Sequence, residues 1–262
     1  MLDERHRISL GRVDFKGGYL LVPSQNQPSG ITGEVATIRE RVERRGLSWM
    51  SHVGIKPGCS RVMQEFSLGG SSRYIAKHQP TTRYSRIIDE LQAASFIQSL
   101  LPELQKSKTI HQHRLGELRV ELAAEQPVAG IVLYDANQDK VQQAASVFRW
   151  VPGIGGHESE VMSQTASIFG IPVRDLDPFL RQVVKLAFEY FRANGLTWSD
   201  ARQAQTIINR VFDPQDRLTL LRVTLVDFES CLFSPRRQTI FHSLFGLLED
   251  RFVRNLTLDQ RW

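Results

Sequence analysis

Four ionisable side chains follow one another in an order that suits phosphate chemistry. SRYIAKH carries Lys77, Glu90 lies in a helical stretch, Asp200 sits in LTWSDARQAQTII, and RVTLVDFES ends a hydrophobic strand in Asp227-Phe228-Glu229. Phosphoryl transfer from a nucleotide asks little covalent chemistry of a protein. The site mostly positions phosphates and metal and offsets developing negative charge. A lysine at a strand end reaches phosphates, and a helix carboxylate holds that lysine. One aspartate at a strand end binds magnesium through carboxylate oxygen, while another orients or deprotonates an acceptor hydroxyl. The order of the four suggests a phosphotransferase.

The elements that must position them can be read from pattern. RISLGRVDFKGGYLLVP predicts two short strands around Gly17-Gly18, and GEVATIRERVERRG predicts a helix stopping at Gly46. From Leu47 to His78 the pattern is an antiparallel meander ending at Lys77. Gly54 and Gly58 fall in the loop between its first two strands, where glycine lets backbone amides approach phosphates; an ordinary turn explains them as well. In YSRIIDELQAASFIQSLLPEL, Ile87, Ile88, Leu91, Ala94, Ile97 and Leu101 recur at helical spacing, with Glu90 beside that stripe and Asp89 as its competitor. ELRVELAAE and VAGIVLYDANQD read as paired strands, and the polar exit Tyr134-Asp135-Ala136-Asn137 reads as a hinge between two lobes.

The second half reads as mostly helical. DKVQQAASVFRWV, ESEVMSQTASIFG and DPFLRQVVKLAFEYFRANG predict three helices, the last running from Asp177-Pro178 to Gly195. The acidic turn FDPQD and the strand LLRVTLVDF then form a hairpin that brings Asp227 toward Asp200, and SPRRQTIFHSLFGLLEDRFVRNL predicts a closing helix.

Composition narrows the class. With 262 residues and 41% hydrophobic content, the chain can bury a sizeable core as one domain or two lobes. No apolar run has the length of a membrane span, and MLDERHR lacks the apolar core of a secretory signal, so the cytoplasm is the default compartment. Two cysteines, Cys59 and Cys231, exclude a disulfide framework and a four-cysteine zinc site. His111 and His113 have no acidic or cysteine companion, and PGIGGHE lacks the lysine and hydroxyl of a Walker loop. The net charge of +5 is thinly spread, and the arginines from Arg39 to Arg45 stand among acidic neighbours, which favours a solvated face over a nucleic-acid surface.

Over residues 47 to 254 the arrangement resembles the protein-kinase-like superfamily, which includes protein kinases and aminoglycoside, choline and lipopolysaccharide-core kinases. IAK at 75 to 77 resembles the strand-three lysine motif, and Glu90 its helical partner. YDANQD resembles the hinge bordering adenine, which assigns Tyr134, Asp135 and Ala136 to nucleotide contact. Asp200 aligns with the catalytic-loop aspartate, Gln205 with the metal-binding asparagine, and Asp227-Phe228-Glu229 with the metal-binding triplet. The resemblance implies a two-lobed α+β fold, with an antiparallel sheet plus one helix in the N-lobe and a mostly helical C-lobe. It places an extension at 1–46, the N-lobe at 47–136 and the C-lobe at 137–262. The implied cofactors are ATP and magnesium, and the acceptor is a hydroxyl on a protein or small molecule.

The chain departs from that pattern at Trp198-Ser199, which replace the usual His-Arg, at Gln205, which replaces asparagine, and at Glu229, where protein kinases use glycine. Two alternatives follow: a pseudokinase acting as a nucleotide-binding or interaction module, and, less favoured, a nucleic-acid binder using Arg39 to Arg45 with Arg236 and Arg237.

Overall fold

The computed structural model describes residues 9–24, 33–52, 61–69, 72–106, 119–137, 140–155, 163–167, 171–198, 205–215 and 218–233. Strands β1 (Leu10–Phe15) and β2 (Gly18–Pro23) form the expected hairpin, turning at Gly17 with φ 88°. Helix α1 (Gly33–Arg45) ends, as its pattern predicts, where Gly46 takes φ 59°. The meander follows as β3 (Ser51–His52), β4 (Met63–Ser67) and β5 (Arg73–His78), antiparallel throughout. Helix α2 (Arg86–Lys106) then leads to β6 (Arg119–Ala124), β7 (Pro127–Tyr134) and β8 (Val141–Arg149).

All of these strands but β6 build one antiparallel seven-stranded sheet in the order β1-β2-β7-β8-β5-β4-β3. Both faces are covered. Val35, Ile38 and Val42 of α1 pack against Leu20, Val22, Ile131 and Leu133, while Ile87, Leu91 and Ala94 of α2 join the cluster of Tyr19, Leu21 and Val132. A strand covered on both sides needs apolar residues at every position, which is why VAGIVL reads as an uninterrupted run. The same fact explains β8. Its apolar residues are spaced ambiguously enough to suggest a helix, yet the segment is a central strand between β7 and β5. The opening hairpin extends this sheet by pairing β2 with β7, so both ends of the first 136 residues and the strand beyond them share one sheet.

Two further expectations are corrected. ELRVELAAE does not pair with VAGIVLY: β6 runs parallel to β12 in a second sheet, and the chain crosses between sheets at Glu125-Gln126. Tyr134 to Asn137 do not carry the chain between lobes either, because β7 turns back there into β8 and the passage to the second sheet comes after Arg149.

The second half of the chain is not mostly helical among the described residues. It contains β9 (Ile154–Gly155), one long helix α3 (Val173–Ala193), β10 (Leu196–Trp198), β11 (Thr206–Phe212), β12 (Leu218–Leu225) and β13 (Cys231–Phe233), with a further helical stretch at 163–167. Helix α3 starts one turn earlier than Asp177-Pro178 suggests and closes with Gly195 at φ 89°. The hairpin of β11 and β12 forms around the FDPQD turn as expected, inside a four-stranded sheet ordered β6-β12-β11-β9. The predicted closing helix lies outside the described residues.

Helix α2 is the common wall. It is buried on several sides, by the large sheet, by α3, and by the strands and turn around residues 225–233. Its exposed residues are confined to one narrow edge, at Ile88, Asp89, Ser99, Pro102, Glu103 and Lys106. Gly130 marks how tightly it sits, because a methyl group added there would come within 2.5 Å of Ile87 Cγ2.

Candidate active site

The site forms where α2, the end of β5, the β6–β7 crossing and the turn after β12 converge. Glu90 is fully buried on α2, and Asp89 faces solvent, which decides between the two. Lys77, the penultimate residue of strand β5, has its Nζ 3.7 Å from Glu90 Oε1 and 4.5 Å from the centre of the Phe148 ring. Ser146, directly opposite Lys77 on β8, donates its hydroxyl to Glu90 Oε2 at 2.7 Å. Gln79 adds a longer amide contact of 3.4 Å to the same oxygen.

Asp227 arrives from the other sheet. Val226 N–H donates to the Gln205 carbonyl at 2.9 Å, which sets Gln205 beside the start of the triplet. Phe228 is wholly buried, its ring 4.9 Å from that of Trp198, so the triplet is anchored by its middle residue and presents both acids toward α2. Asp227 itself adopts φ 69° and ψ 65°, a left-handed conformation that aspartate tolerates better than most residues.

Two residues that motif reading did not single out join these parts. Glu125 Oε1 accepts from Lys77 Nζ at 2.5 Å and from the Asp227 N–H at 2.8 Å. Arg61, two residues before β4, spans three carboxylates: Nη1 donates to both Glu90 oxygens at 3.2 and 3.1 Å, Nη2 pairs with Asp227 Oδ1, and Nε lies 3.1 Å from Glu229 Oε2. The other oxygen of Glu229 pairs with Arg86 at 2.7 Å. The only sequence cue for Glu125 is a charge set between two apolar strands, where a chain crosses from one sheet to another. Arg61 has no local cue.

The electrostatics follow from this geometry. Burial alone would raise the Glu90 pKa, but Arg61 and Lys77 outweigh it and hold the carboxyl below its ordinary value. Glu125 goes the other way: burial pushes it up and nearby Glu90 adds to that, while Lys77 opposes. Burial works against the Arg61 charge, yet Glu90 and Asp227 reverse that and raise its pKa.

The structure thus brings together Lys77, Glu90, Asp227 and the backbone of Gln205. It does not bring Tyr134, Asp135 and Ala136 to them. Lys77 is in register with Ser146 and through it with Gly130, and Tyr134 lies four residues farther along β7, about 13 Å at strand rise. Asp200, Gly54 and Gly58 lie outside the described residues. Among the described residues no helix is long and apolar enough to cross a membrane.

No known protein family matches the chain, and no curated protein matches it by sequence. Among solved structures it is similar to the Rio2 kinase complex with ADP, Mg2+ and phosphoaspartate from Chaetomium thermophilum, at 12% identity over 96% of this chain and 67% of that one, with a TM-score of 0.40. It is also similar to WaaP in complex with acyl carrier protein, at 15% identity over 73% of this chain and 67% of that one, with a TM-score of 0.36. A third similarity is to the aerobactin synthetase IucC from a hypervirulent pathotype of Klebsiella pneumoniae, at 10% identity, with a TM-score of 0.47. It spans 87% of this chain and 50% of that one.

Proposed function

We propose that this chain binds a nucleotide at the Lys77–Glu90–Asp227 centre and transfers a phosphoryl group to a hydroxyl on a protein or small molecule. The observation that carries the reading is the joining of a buried lysine, a wholly buried helix carboxylate and an aspartate just past a strand end, Lys77 with Glu90 directly and Asp227 through Glu125 and Arg61, although they come from different parts of the chain. A buried cation among carboxylates is costly to maintain, and strongly coupled ionisable groups in such a place are characteristic of functional sites.

In this reading Lys77 meets the phosphates of ATP and Glu90 fixes the direction of its ammonium. Asp200 orients the acceptor hydroxyl. Asp227 and the Gln205 amide would hold magnesium through the hard oxygen donors that it prefers. The fit is supported by the Asp227 carboxylate, which already engages a cation, Arg61. Bound magnesium would supply charge neutralisation on the transferring phosphate.

The second reading, a nucleotide-binding interaction module without transfer, is favoured by a specific observation. Glu125 engages Lys77 and Arg61 engages Asp227, so both key groups are satisfied within the protein.

Calorimetry with ATP, with and without magnesium, tests the proposal. Binding that magnesium strengthens, and that Lys77→Met weakens at least tenfold, is the expected result. Absence of ATP binding to the wild type at millimolar concentration would overturn it. Binding indifferent to metal would favour the interaction module.

A further inference from the structure

We infer that Arg61 is a resident counter-cation at the metal-facing edge of this site, and that a divalent ion reaches Asp227 only by displacing its guanidinium. The inference rests on the proposed function for the role of Asp227, and adds a residue that governs when the metal enters.

The geometry of the guanidinium carries the argument. Each of its nitrogens is committed to a different carboxylate, Nη1 to Glu90, Nη2 to Asp227 and Nε to Glu229, with 9% of the side chain exposed. A guanidinium cannot give up its charge, so this edge holds a fixed positive group. A hard divalent ion needs the same carboxylate oxygens at short, regular distances, and a cation already resting on Asp227 Oδ1 both occupies the oxygen and repels the ion. Gln79 is a further polar group on the Glu90 carboxylate that Arg61 engages. Its side chain reaches Glu90 through Nε2, yet its Oε1 is buried without a hydrogen-bond partner, a state that buried amides seldom keep.

Displacement also has a consequence for Lys77. Glu90 now divides its charge between Arg61 and Lys77, and the ammonium sits closer to Glu125, at 2.5 Å, than to Glu90, at 3.7 Å. Once Arg61 leaves, Glu90 is free to draw Lys77 from Glu125, so metal entry and lysine alignment become one event.

The test is Mn2+ binding to the full chain without nucleotide, by calorimetry, for the wild type and Arg61→Gln, with circular dichroism confirming the fold. The expected result is at least a tenfold gain in Mn2+ affinity in Arg61→Gln; equal or weaker affinity in the folded variant overturns the inference. If Arg61→Gln does not fold, the wild type decides. Titration with Mg2+ should move the Arg61 side-chain Nε–H resonance, and a resonance unmoved up to saturation overturns the inference. ATP binding measured in chelator reports separately on the function. ATP binding without a gain in Mn2+ affinity removes the Arg61 role alone, whereas that gain without ATP binding removes the nucleotide reading and keeps Arg61 as the metal's competitor.

Discussion

Lys77 and Asp227 meet at a single atom: Glu125 Oε1 receives the lysine ammonium at 2.5 Å and the aspartate's backbone N–H at 2.8 Å. A carboxylate at the crossing between two sheets therefore couples the strand that carries the cation to the turn that carries the acid. Its pKa is raised above the ordinary 4.5, chiefly by burial. A raised folded-state pKa contributes stability that is fully present below the unfolded value and is lost as pH rises through the folded one. Glu125→Gln, which keeps an acceptor but no charge, should therefore gain stability relative to the wild type as pH increases from 4.5. Thermal melts across a pH series read this directly, and a difference that stays flat or falls would refute it.

Glu90 has the opposite sign. Burial opposes its charge, but Arg61 and Lys77 outweigh burial and lower its pKa, so its contribution is present above 4.5 and lost as pH falls through the depressed value. Truncation to alanine leaves two buried cations short of a partner. Glu90→Ala should cost about 3–5 kcal/mol of unfolding free energy, measured by urea denaturation at neutral pH. The Glu90→Gln variant should show a weaker acid loss of stability than the wild type.

Asp227 keeps φ 69° although it is not glycine. Asparagine shares aspartate's tolerance of this region, and a β-branched residue does not. Asp227→Val should therefore be less stable than Asp227→Asn by about 1–2 kcal/mol, while both lose magnesium-dependent enhancement of ATP binding. Equal melting temperatures for the two would show that the backbone relaxes without the native turn.

Gly130 sets the height of α2 above the sheet. An added methyl would meet Ile87 Cγ2 at 2.5 Å and Leu91 Cδ1 at 3.0 Å, and neither is the loose end of a long side chain. Gly130→Ala should destabilise the protein by about 1–3 kcal/mol. It should also weaken ATP binding without touching any ligand contact, because Glu90 moves with the helix. Calorimetry beside a denaturation curve separates the two effects.

Much of the site was legible along the chain because its parts end regular elements. Lys77 closes a strand, Glu90 falls beside a helical stripe, and Asp227 follows an apolar run, so local periodicity was enough to nominate them. The hairpin around Gly17, the helix ending at Gly46 and the β11–β12 hairpin were read for the same reason: turn chemistry and spacing are local properties.

Periodicity failed where burial came from both sides. The segment VQQAASVFR lost its alternation by lying between two strands under α1 and α2, and in that state a strand and a helix look alike in sequence. Tyr134 to Ala136 looked like a polar exit from a lobe, yet Tyr134 still pairs with Val141 of β8, and Asp135 and Ala136 follow it into the turn of a hairpin. The sequence by itself determined which residues carry charge at the ends of elements. Only the tertiary structure decided that Glu125 and Arg61 join them, because Asp227, which both engage, lies 102 and 166 positions away along the chain. Burial of those charges is tolerated only when folding delivers the counter-charges to the same place.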